Sequence, residues 1–386
     1  MTGKRRTARP GIPLLLTLLA GGAPSGFGGG FTSRPAATRE LLLPYLVFLH
    51  PLPEAAELLA RGAARLTVSV SESNSFAGTT AFRSLASPVP GARVEVDRAL
   101  VDQFRQDHPD ADLFFTDGEV LWTDLGFRLG VNEWLEVGVD LPLVRYTGGV
   151  LDPSIEGFHD TLGLPDDGRN DFERGAFHLA LFLGGSDLFV EGTPSDFGVG
   201  DLTLTAKIPL FRGPDGAPAV AGAAYLKLPT GSEARLLGSG SLDFGAQILF
   251  SRRKGRHAYH LSGGAVRLGD WDLVPQIDPE FLWLGSGTYE VLATGMTSVL
   301  VQAGITASPF RKATTEDLAD PSVRLKAGFR RHFPSGLALE ALIEENLART
   351  NASIDFGIHF ALAYGFGESP AGTQAARGGP GRRPRE

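Results

Sequence analysis

Long stretches of alternating apolar and polar residues recur along the chain, and they constrain its fold more than any other feature. In WLEVGVDLPLV (134–144), Leu135 and Val137 fall on one face of an extended chain, and Glu136 and Asp140 fall on the other. Comparable runs lie at 118–130, 200–210, 241–251, 322–332 and 355–366. Strands of soluble proteins usually have about 5–6 residues, whereas a strand that crosses a membrane needs about 9–11. The repeated alternation therefore predicts membrane-crossing strands.

The two faces of these strands differ sharply in composition. One face carries Leu, Val, Ile, Phe and Ala, and the other carries Gly, Asp, Thr, Lys, Arg and Gln. An apolar face suits lipid, and a closed sheet satisfies every backbone hydrogen bond inside the bilayer. The pattern predicts an all-β fold, a transmembrane antiparallel up-and-down β-barrel with a hydrated or salt-bridged interior. A soluble β-sandwich with the apolar face as its core is the alternative.

The spacing of turn-like stretches predicts about 14 strands. Twelve is the alternative, because the segments 186–192 and 278–285 are weakly strand-like. Short connections alternate with long ones along most of the chain, and the stretch 286–296 does not fit this alternation. Outer-membrane barrels have an even number of strands, short periplasmic turns and long extracellular loops. We therefore expect a barrel in the Gram-negative outer membrane, with both termini in the periplasm.

The chain divides into four predicted parts: a signal peptide (1–26), a pre-barrel segment (27–64), the barrel (65–366) and a disordered periplasmic tail (367–386). The first part has a basic start followed by a short apolar run, as secretory signals do. Within the pre-barrel segment, the apolar run LLLPYLVFL (41–49) is broken by Pro44 and is too short to span a bilayer. It predicts a segment that lies on the surface or plugs the barrel.

Composition narrows the function classes. The chain has no Cys, which excludes disulfides and thiolate chemistry, and its net charge of −8 argues against nucleic-acid binding. No cofactor or metal pattern is found. The expected partners are outer-membrane lipid and, during biogenesis, the barrel-assembly machinery and periplasmic chaperones. The oligomeric state is left open.

The long connection 145–175 is the segment whose chemistry most suggests a function. Its candidate gate residues are Asp152, Glu156, His159, Asp160, Asp166 and Arg169. Charged rings of this kind set selectivity in pores. If the loop folds inward, deletion of 150–170 should raise conductance and weaken ion selectivity; the alternative is a solvated acidic loop.

A second candidate set consists of the charged residues on the inward face of the strands. These are Asp124, Arg128, Glu136, Asp140, Asp201, Lys207, Arg324, Lys326, Arg330, Glu340 and Glu344. A three-residue turn at 334–336 would place Arg330 opposite Glu340 and Lys326 opposite Glu344. We expect this face to be reachable by water-soluble thiol reagents through the pore. We also expect Leu325→Arg to impair assembly and Lys326→Leu to be tolerated.

The chain also resembles an uncharacterised family of proteobacterial outer-membrane barrel proteins, a domain of unknown function. The resemblance is carried by LLLPYLVFLHPLPEAAELLARGAARLTVSVSESNSF (41–76), FTDGEVLW (115–122), WLEVGVDLPLVRYTGGVLDPSIEGFHDTLGLPDDGRNDF (134–172), SVLVQAG (298–304), ALIEENL (341–347) and NASIDFGIHFALAYGF (351–366). It covers most of residues 40–366 and implies the location and the fold. It implies no activity.

Three functional hypotheses follow from the sequence. The first is a channel or pore for small solutes, gated by the loop 145–175. The second is a structural or assembly-related envelope protein without transport. The third is a lipid-modifying enzyme of the outer membrane; because no catalytic constellation such as a GxSxG elbow is found, we expect no enzymatic activity.

Overall fold

The computed structural model describes residues 33–86, 93–149, 171–213, 217–275, 281–345, 354 and 356–367. Its strands are β1 (Ala64–Gly78), β2 (Leu113–Asn132), β3 (Leu135–Thr147), β4 (His178–Phe182), β5 (Leu188–Glu191), β6 (Gly198–Val199), β7 (Leu202–Arg212), β8 (Ala219–Leu228), β9 (Asp243–Lys254), β10 (His257–Arg267), β11 (Leu282–Leu292), β12 (Thr297–Thr306), β13 (Ser322–His332), β14 (Leu337–Glu345) and β15 (Phe356–Phe366). The helices are α1 (Thr80–Ala86), α2 (Arg98–Asp107) and α3 (Glu316–Ala319), with 3-10 turns at Leu43–Tyr45 and Glu233–Arg235.

Twelve of these strands form a closed antiparallel barrel, in the order β1–β2–β3–β7–β8–β9–β10–β11–β12–β13–β14–β15. The ring closes where Ala64 of β1 pairs with Phe366 of β15. The prediction of about 14 strands is therefore wrong, and the alternative of 12 is correct. The predicted strands 176–184 and 186–192 are the short hairpin β4–β5, which extends the end of β2 outside the ring. With five and four residues, these strands are too short to cross a bilayer.

The stretch that did not fit the alternating loop lengths is explained by β11. This strand runs from Leu282 to Leu292, so the predicted strand 278–285 began too early and most of 286–296 belongs to the wall. Gly285 and Gly287 weaken the strand pattern at the point where the sequence suggested a turn. The true turn, 293–296, is short. Short turns therefore lie at one end of the barrel and longer connections at the other; we call these the short-turn end and the long-loop end.

The outer face of the barrel is a belt of exposed apolar side chains. Its members include Leu204, Ile208, Phe244, Ile248, Leu261, Val299, Val301, Ile343, Phe360 and Leu362. The alternation is sharp: Phe360 is 53% exposed, whereas its neighbour His359 is 2% exposed. Such a belt would be unfavourable in water and is stabilised by lipid. The protein is thus an outer-membrane β-barrel.

The long-loop end carries a small apolar cluster outside the wall. Helices α1 and α2 pack there on the extended ends of β1 and β2, with the Phe82 ring centroid 5.5 Å from that of Phe104 and 5.4 Å from that of Phe115. Asp97 caps α2 by accepting a hydrogen bond from the backbone N–H of Leu100. None of the helices in the described ranges is long and apolar enough to cross a bilayer. The cluster anchors the first long connection to the rim.

The closed ring makes a direct prediction about electrophoretic behaviour. Because every strand of the ring is paired on both sides, detergent alone should leave the barrel folded and compact. We expect unheated and boiled samples to migrate at different positions on detergent gels. Equal mobility, together with release from membranes by carbonate, would contradict a membrane-embedded barrel.

Candidate functional site

The inner face of the wall carries the charged residues that the alternation assigns to it. Arg128 is part-buried, with its side chain 13% exposed. The others are buried: Asp124, Glu136, Asp140, Asp201, Lys207, Arg324, Lys326, Arg330, Glu340 and Glu344. A water-filled pore would leave such side chains exposed. Their burial indicates that protein fills much of the lumen.

The predicted register between β13 and β14 is confirmed. Arg330 lies opposite Glu340 and Lys326 opposite Glu344. The Lys326 Nζ atom is 2.7 Å from Oε2 of Glu344, and the Arg330 Nε atom donates to Oε2 of Glu340 at 2.8 Å. Inward faces must meet across an antiparallel pair, and this requirement selects the register.

Glu290 of β11, which is not among the predicted lumen charges, completes a charged cluster. The Arg330 Nη1 atom donates to Glu290 Oε2 at 2.7 Å, so one guanidinium holds two carboxylates from opposite sides. Arg330 and Glu290 are both fully buried. Glu290 was overlooked because the predicted strand ended at residue 285. The alternation in Tyr289–Glu290–Val291 is the signal that could have found it.

Residues 33–63 fill the lumen, and we call them the lumen segment. The segment enters near the short-turn end, where the Ser33 hydroxyl hydrogen-bonds Glu290 and lies 2.9 Å from Nε2 of His260. It rises toward the long-loop end: the backbone N–H of Ala36 donates to Gln302 at 2.9 Å, and Glu40 reaches Arg324. The described part of the predicted pre-barrel segment, from Ser33 onward, therefore lies within the barrel.

The turn of the lumen segment is stabilised by two adjacent charged residues. Arg39 donates to the carbonyls of Leu46 and Phe48 at 3.1 and 3.0 Å, and its guanidinium stacks 3.9 Å above the Trp122 ring. The Oε1 atom of Glu40 accepts the backbone N–H of Leu41 at 3.0 Å. These contacts satisfy backbone groups at the two sides of a buried reversal.

The apolar run 41–49 forms the tip of the segment, at the long-loop end. The Phe48 ring meets Trp271 edge-to-face with centroids 5.6 Å apart, and Tyr45 meets Phe310 in the same way at 6.3 Å. Of the two predicted roles for this run, surface segment or plug, the structure shows the plug. Its apolar side chains form a seal above a polar lumen.

The segment then descends toward the short-turn end through contacts with the wall. The backbone N–H of Leu49 donates to Asp243, and that of Ala56 donates to Oγ of Ser251, each at 2.8 Å. Lower down, the backbone N–H of Leu59 donates to Glu136 at 2.7 Å. The segment is thus a hairpin-like insertion with both ends at the short-turn end.

Glu54 links the descending arm to two wall cations. Its carboxylate lies 3.0 Å from Arg128 and 3.2 Å from Lys207. Both cations also have wall partners, since Arg128 lies 2.8 Å from Asp140 and Lys207 lies 2.8 Å from Glu136. Beside this cluster, a cavity of about 80 Å³ remains, room for a few waters.

The base of the segment lies against the wall at Gly130. A Cβ atom at this position would lie 2.2 Å from the carbonyl oxygen of Ala60, so any larger residue would push the chain away. Gly62 donates its backbone N–H to the Gly130 carbonyl at 2.7 Å. The start of β1 is therefore tightly joined to the turn that follows β2.

These contacts change the expected accessibility of the inner face. Residues Arg324, Lys326 and Arg330 are covered by protein, so a water-soluble thiol reagent should reach cysteines there only when the segment has moved. The sequence could not reveal this, because alternation identifies the face of a strand and not what lies against that face.

One trio of neighbouring Ser, His and Glu side chains resembles the side chains of a hydrolase. The Ser71 Oγ atom lies 2.8 Å from Nδ1 of His359, whose Nε2 atom lies 3.3 Å from Oε1 of Glu340. The other oxygen of Glu340 is held by Arg330, which neutralises the carboxylate. Ser71 and His359 are both buried, and the trio ties β1, β15 and β14 together.

The candidate gate residues of the loop 145–175 lie outside the described residues. This applies to Asp152, Glu156, His159, Asp160, Asp166 and Arg169. The loop gate stays a prediction. The signal peptide (1–26) and nearly all of the predicted tail (367–386) also lie outside the described ranges. Within the described ranges, no group of three or more His, Asp or Glu side chains is arranged to hold a metal ion.

Comparison with solved structures finds other membrane barrels at low identity. The COG4313 outer membrane channel from Pseudomonas putida F1 is 16% identical, with a TM-score of 0.48 over 81% of this chain and 98% of that chain. CdiB from Acinetobacter baumannii is 10% identical, with a TM-score of 0.35 over 82% and 61% of the two chains. A Pseudomonas aeruginosa FadL homologue is 11% identical, with a TM-score of 0.32 over 79% and 90%.

The sequence itself has a family match. No curated protein matches the chain. A family model described as protein of unknown function (DUF3187) matches residues 108–366, which is more than half of the chain and includes eleven of the twelve barrel strands. This confirms the resemblance to an uncharacterised barrel family, and the chain belongs to the DUF3187 family.

Proposed function

We propose that the protein is an outer-membrane channel for small solutes, held closed by the lumen segment. The observation that carries this proposal is a polar-walled barrel whose interior is filled by one chain segment attached at the short-turn end. Such a segment can leave the lumen without breaking any strand pairing of the ring. In this proposal both termini of the barrel, and therefore the short-turn end, lie in the periplasm.

The charges of the wall support a lumen that can open. After withdrawal of Glu54, Arg128 would keep Asp140 and Lys207 would keep Glu136. Lys326 would keep Glu344. Breaking a buried ion pair is costly only when it leaves a charge without a partner, so these pairs favour a wall that is stable with water in the lumen. A barrel with a purely structural role would not need a wall that is stable when water fills the lumen.

The segment itself is also suited to movement. Along its two arms it contacts the wall largely through hydrogen bonds, which water can replace at small net cost, and its buried apolar side chains there, such as Leu52 and Leu59, are few. Only the tip 41–49 is strongly apolar. We propose that the closed state is maintained mainly by burial of this tip. The loop 145–175 is proposed as a second gate, and the deletion of 150–170 tests it separately.

The test uses a disulfide that fixes the segment to the wall. Because the chain has no Cys, Ala56→Cys with Ser251→Cys introduces one new pair at positions whose N and Oγ atoms are 2.8 Å apart. We expect the oxidised full-length protein to stay closed in planar bilayers. After reduction, it should show voltage-driven openings that match those of the unmodified protein.

Two controls make the result decisive. Ala56→Cys alone should open equally well in oxidising and reducing conditions. A variant lacking 33–49 should assemble, as judged by heat-modifiable migration, and should conduct without voltage steps. An assembled deletion variant that does not conduct would contradict the channel and favour the structural or assembly role. Turnover of labelled phospholipid by the same sample would favour the enzyme.

A further inference from the structure

Arg324 differs from the other lumen cations in the source of its partner. The cations Arg128, Lys207, Lys326 and Arg330 each have a carboxylate from the wall. In the part of the chain that the structure describes, Arg324 pairs with Glu40 of the lumen segment, at 3.0 Å, and with no wall carboxylate. Withdrawal of the segment would leave this guanidinium without a counter-charge.

The wall around Arg324 is shaped to hold a carboxylate. The Ser322 hydroxyl donates to the same Glu40 oxygen that Arg324 contacts, and Thr306 lies 3.4 Å from Nη2 of Arg324. Gly304 leaves room for the guanidinium, because a Cβ atom there would approach Nη2 to 3.2 Å. Thr306 accepts from the guanidinium and helps to position it, whereas the guanidinium and the Ser322 hydroxyl converge on one oxygen, as a recognition site for a carboxylate group requires. In the closed state, Glu40 occupies it.

The chamber next to this cation is apolar. The tip of the lumen segment packs there against Trp271, Phe310, Leu268, Val274 and Leu318, all buried. The Nε1 atom of Trp271 is buried and has no hydrogen-bond partner among the described residues. A buried indole N–H without an acceptor is unfavourable, so packing of the tip leaves one polar group of this chamber unsatisfied. The long connections that follow β10 and β12 thus form an apolar chamber beside a carboxylate site.

We infer that the lumen segment occupies, with Glu40 and its apolar tip, a binding site for an amphipathic monocarboxylate. Arg324 takes the carboxylate of the ligand in place of Glu40, and the chamber around Trp271 takes its apolar body in place of Leu41–Leu49. The role of this ligand as a transported solute rests on the proposed channel function, whereas its binding does not. The ligand and the segment therefore compete for one site.

The test measures binding by quenching of tryptophan fluorescence. Of the four Trp residues, Trp134 is exposed in the short turn after β2 and Trp283 is exposed on the outer face of β11, whereas Trp122 and Trp271 are buried near the tip. With Trp134→Phe and Trp283→Phe as background, the signal reports the inside of the barrel. The probes are terminally brominated dodecanoate and its alcohol, added to the full chain in a neutral detergent.

The affinity for brominated dodecanoate should depend on the competing carboxylate of Glu40. We expect Glu40→Gln to raise the affinity for brominated dodecanoate about tenfold, the size of one charge-assisted hydrogen bond. Arg324→Gln in the same background should cancel this gain, and Arg324→Lys should restore part of it. Glu57→Gln removes an exposed carboxylate of the same segment and should change nothing. Heat-modifiable migration shows that each variant is folded.

The outcomes separate this inference from the channel. An equal gain for brominated alcohol and carboxylate would overturn the role of Arg324, and no gain for either would overturn the competition. If Glu40→Gln binds brominated dodecanoate more tightly but the reduced Ala56→Cys, Ser251→Cys protein never conducts, the carboxylate site is supported and the channel function is contradicted. If the protein conducts and Glu40→Gln has no effect on binding, the channel stands and the carboxylate site fails.

Discussion

Arg330→Met is expected to prevent assembly of the barrel. Arg330 is fully buried and holds Glu290 and Glu340 through contacts of 2.7 and 2.8 Å. Loss of the guanidinium leaves two buried carboxylates without the cation that they share. Removal of one partner from a buried ion pair costs about 3–5 kcal/mol, and here two partners are stranded at once. The heat-modifiable form should disappear from outer-membrane fractions.

A compensated variant shows whether the unpaired charge is the cause. Adding Glu290→Gln and Glu340→Gln to Arg330→Met removes both stranded charges, and we expect assembly to return for most of the protein. Arg252→Met, at an exposed position near the short-turn end, is the matched control and should assemble normally. If the triple variant assembles as poorly as Arg330→Met alone, the defect comes from lost packing and not from the unpaired charges.

Leu325→Arg is expected to have the second largest effect. Leu325 lies on the outer face of β13, between Val323 and Ala327 and opposite Ala303 of β12. An arginine on the lipid face costs about 2–4 kcal/mol near the midplane and about 0–1 kcal/mol near the interfaces. Assembly should be impaired severely, measured again as loss of the heat-modifiable form.

The matched control lies on the next strand. Leu337 also faces outward but begins β14 directly after the short turn 333–336, so Leu337→Arg places the same charge at the membrane interface. It should assemble nearly as well as the unmodified protein. Equal defects in the two variants would contradict the depth dependence, and normal assembly of Leu325→Arg would refute the assignment of faces.

The structure changes the expectation for Lys326→Leu. From the sequence, this substitution should be tolerated, because it places an apolar residue on a water-lined face. Lys326 is instead buried and paired with Glu344 at 2.7 Å. Its loss leaves Glu344 uncompensated, so we now expect clear destabilisation, relieved by adding Glu344→Gln.

The sequence by itself was enough to predict which side chains face lipid and which face the lumen. It also predicted the register of β13 with β14 and the barrel class. Lipid favours apolar side chains and the interior favours polar ones, so apolar and polar residues alternate along each strand and can be recognised from its own sequence. Strand number was less secure, since a short apolar hairpin such as β4–β5 has the same local pattern as a crossing strand. Only its pairing, on the extended end of β2 outside the ring, separates the two.

The content of the lumen was decided by the tertiary structure. The apolar run 41–49 and its proline suggested a plug, but its wall partners could not be read from the chain. Ala36 and Gln302, which bind each other inside the barrel, are separated by 266 positions. Pairings of that kind depend on where the closed ring places each inward side chain. Local alternation therefore determined the wall, whereas ring closure determined that Glu40 meets Arg324 and that the lumen is closed.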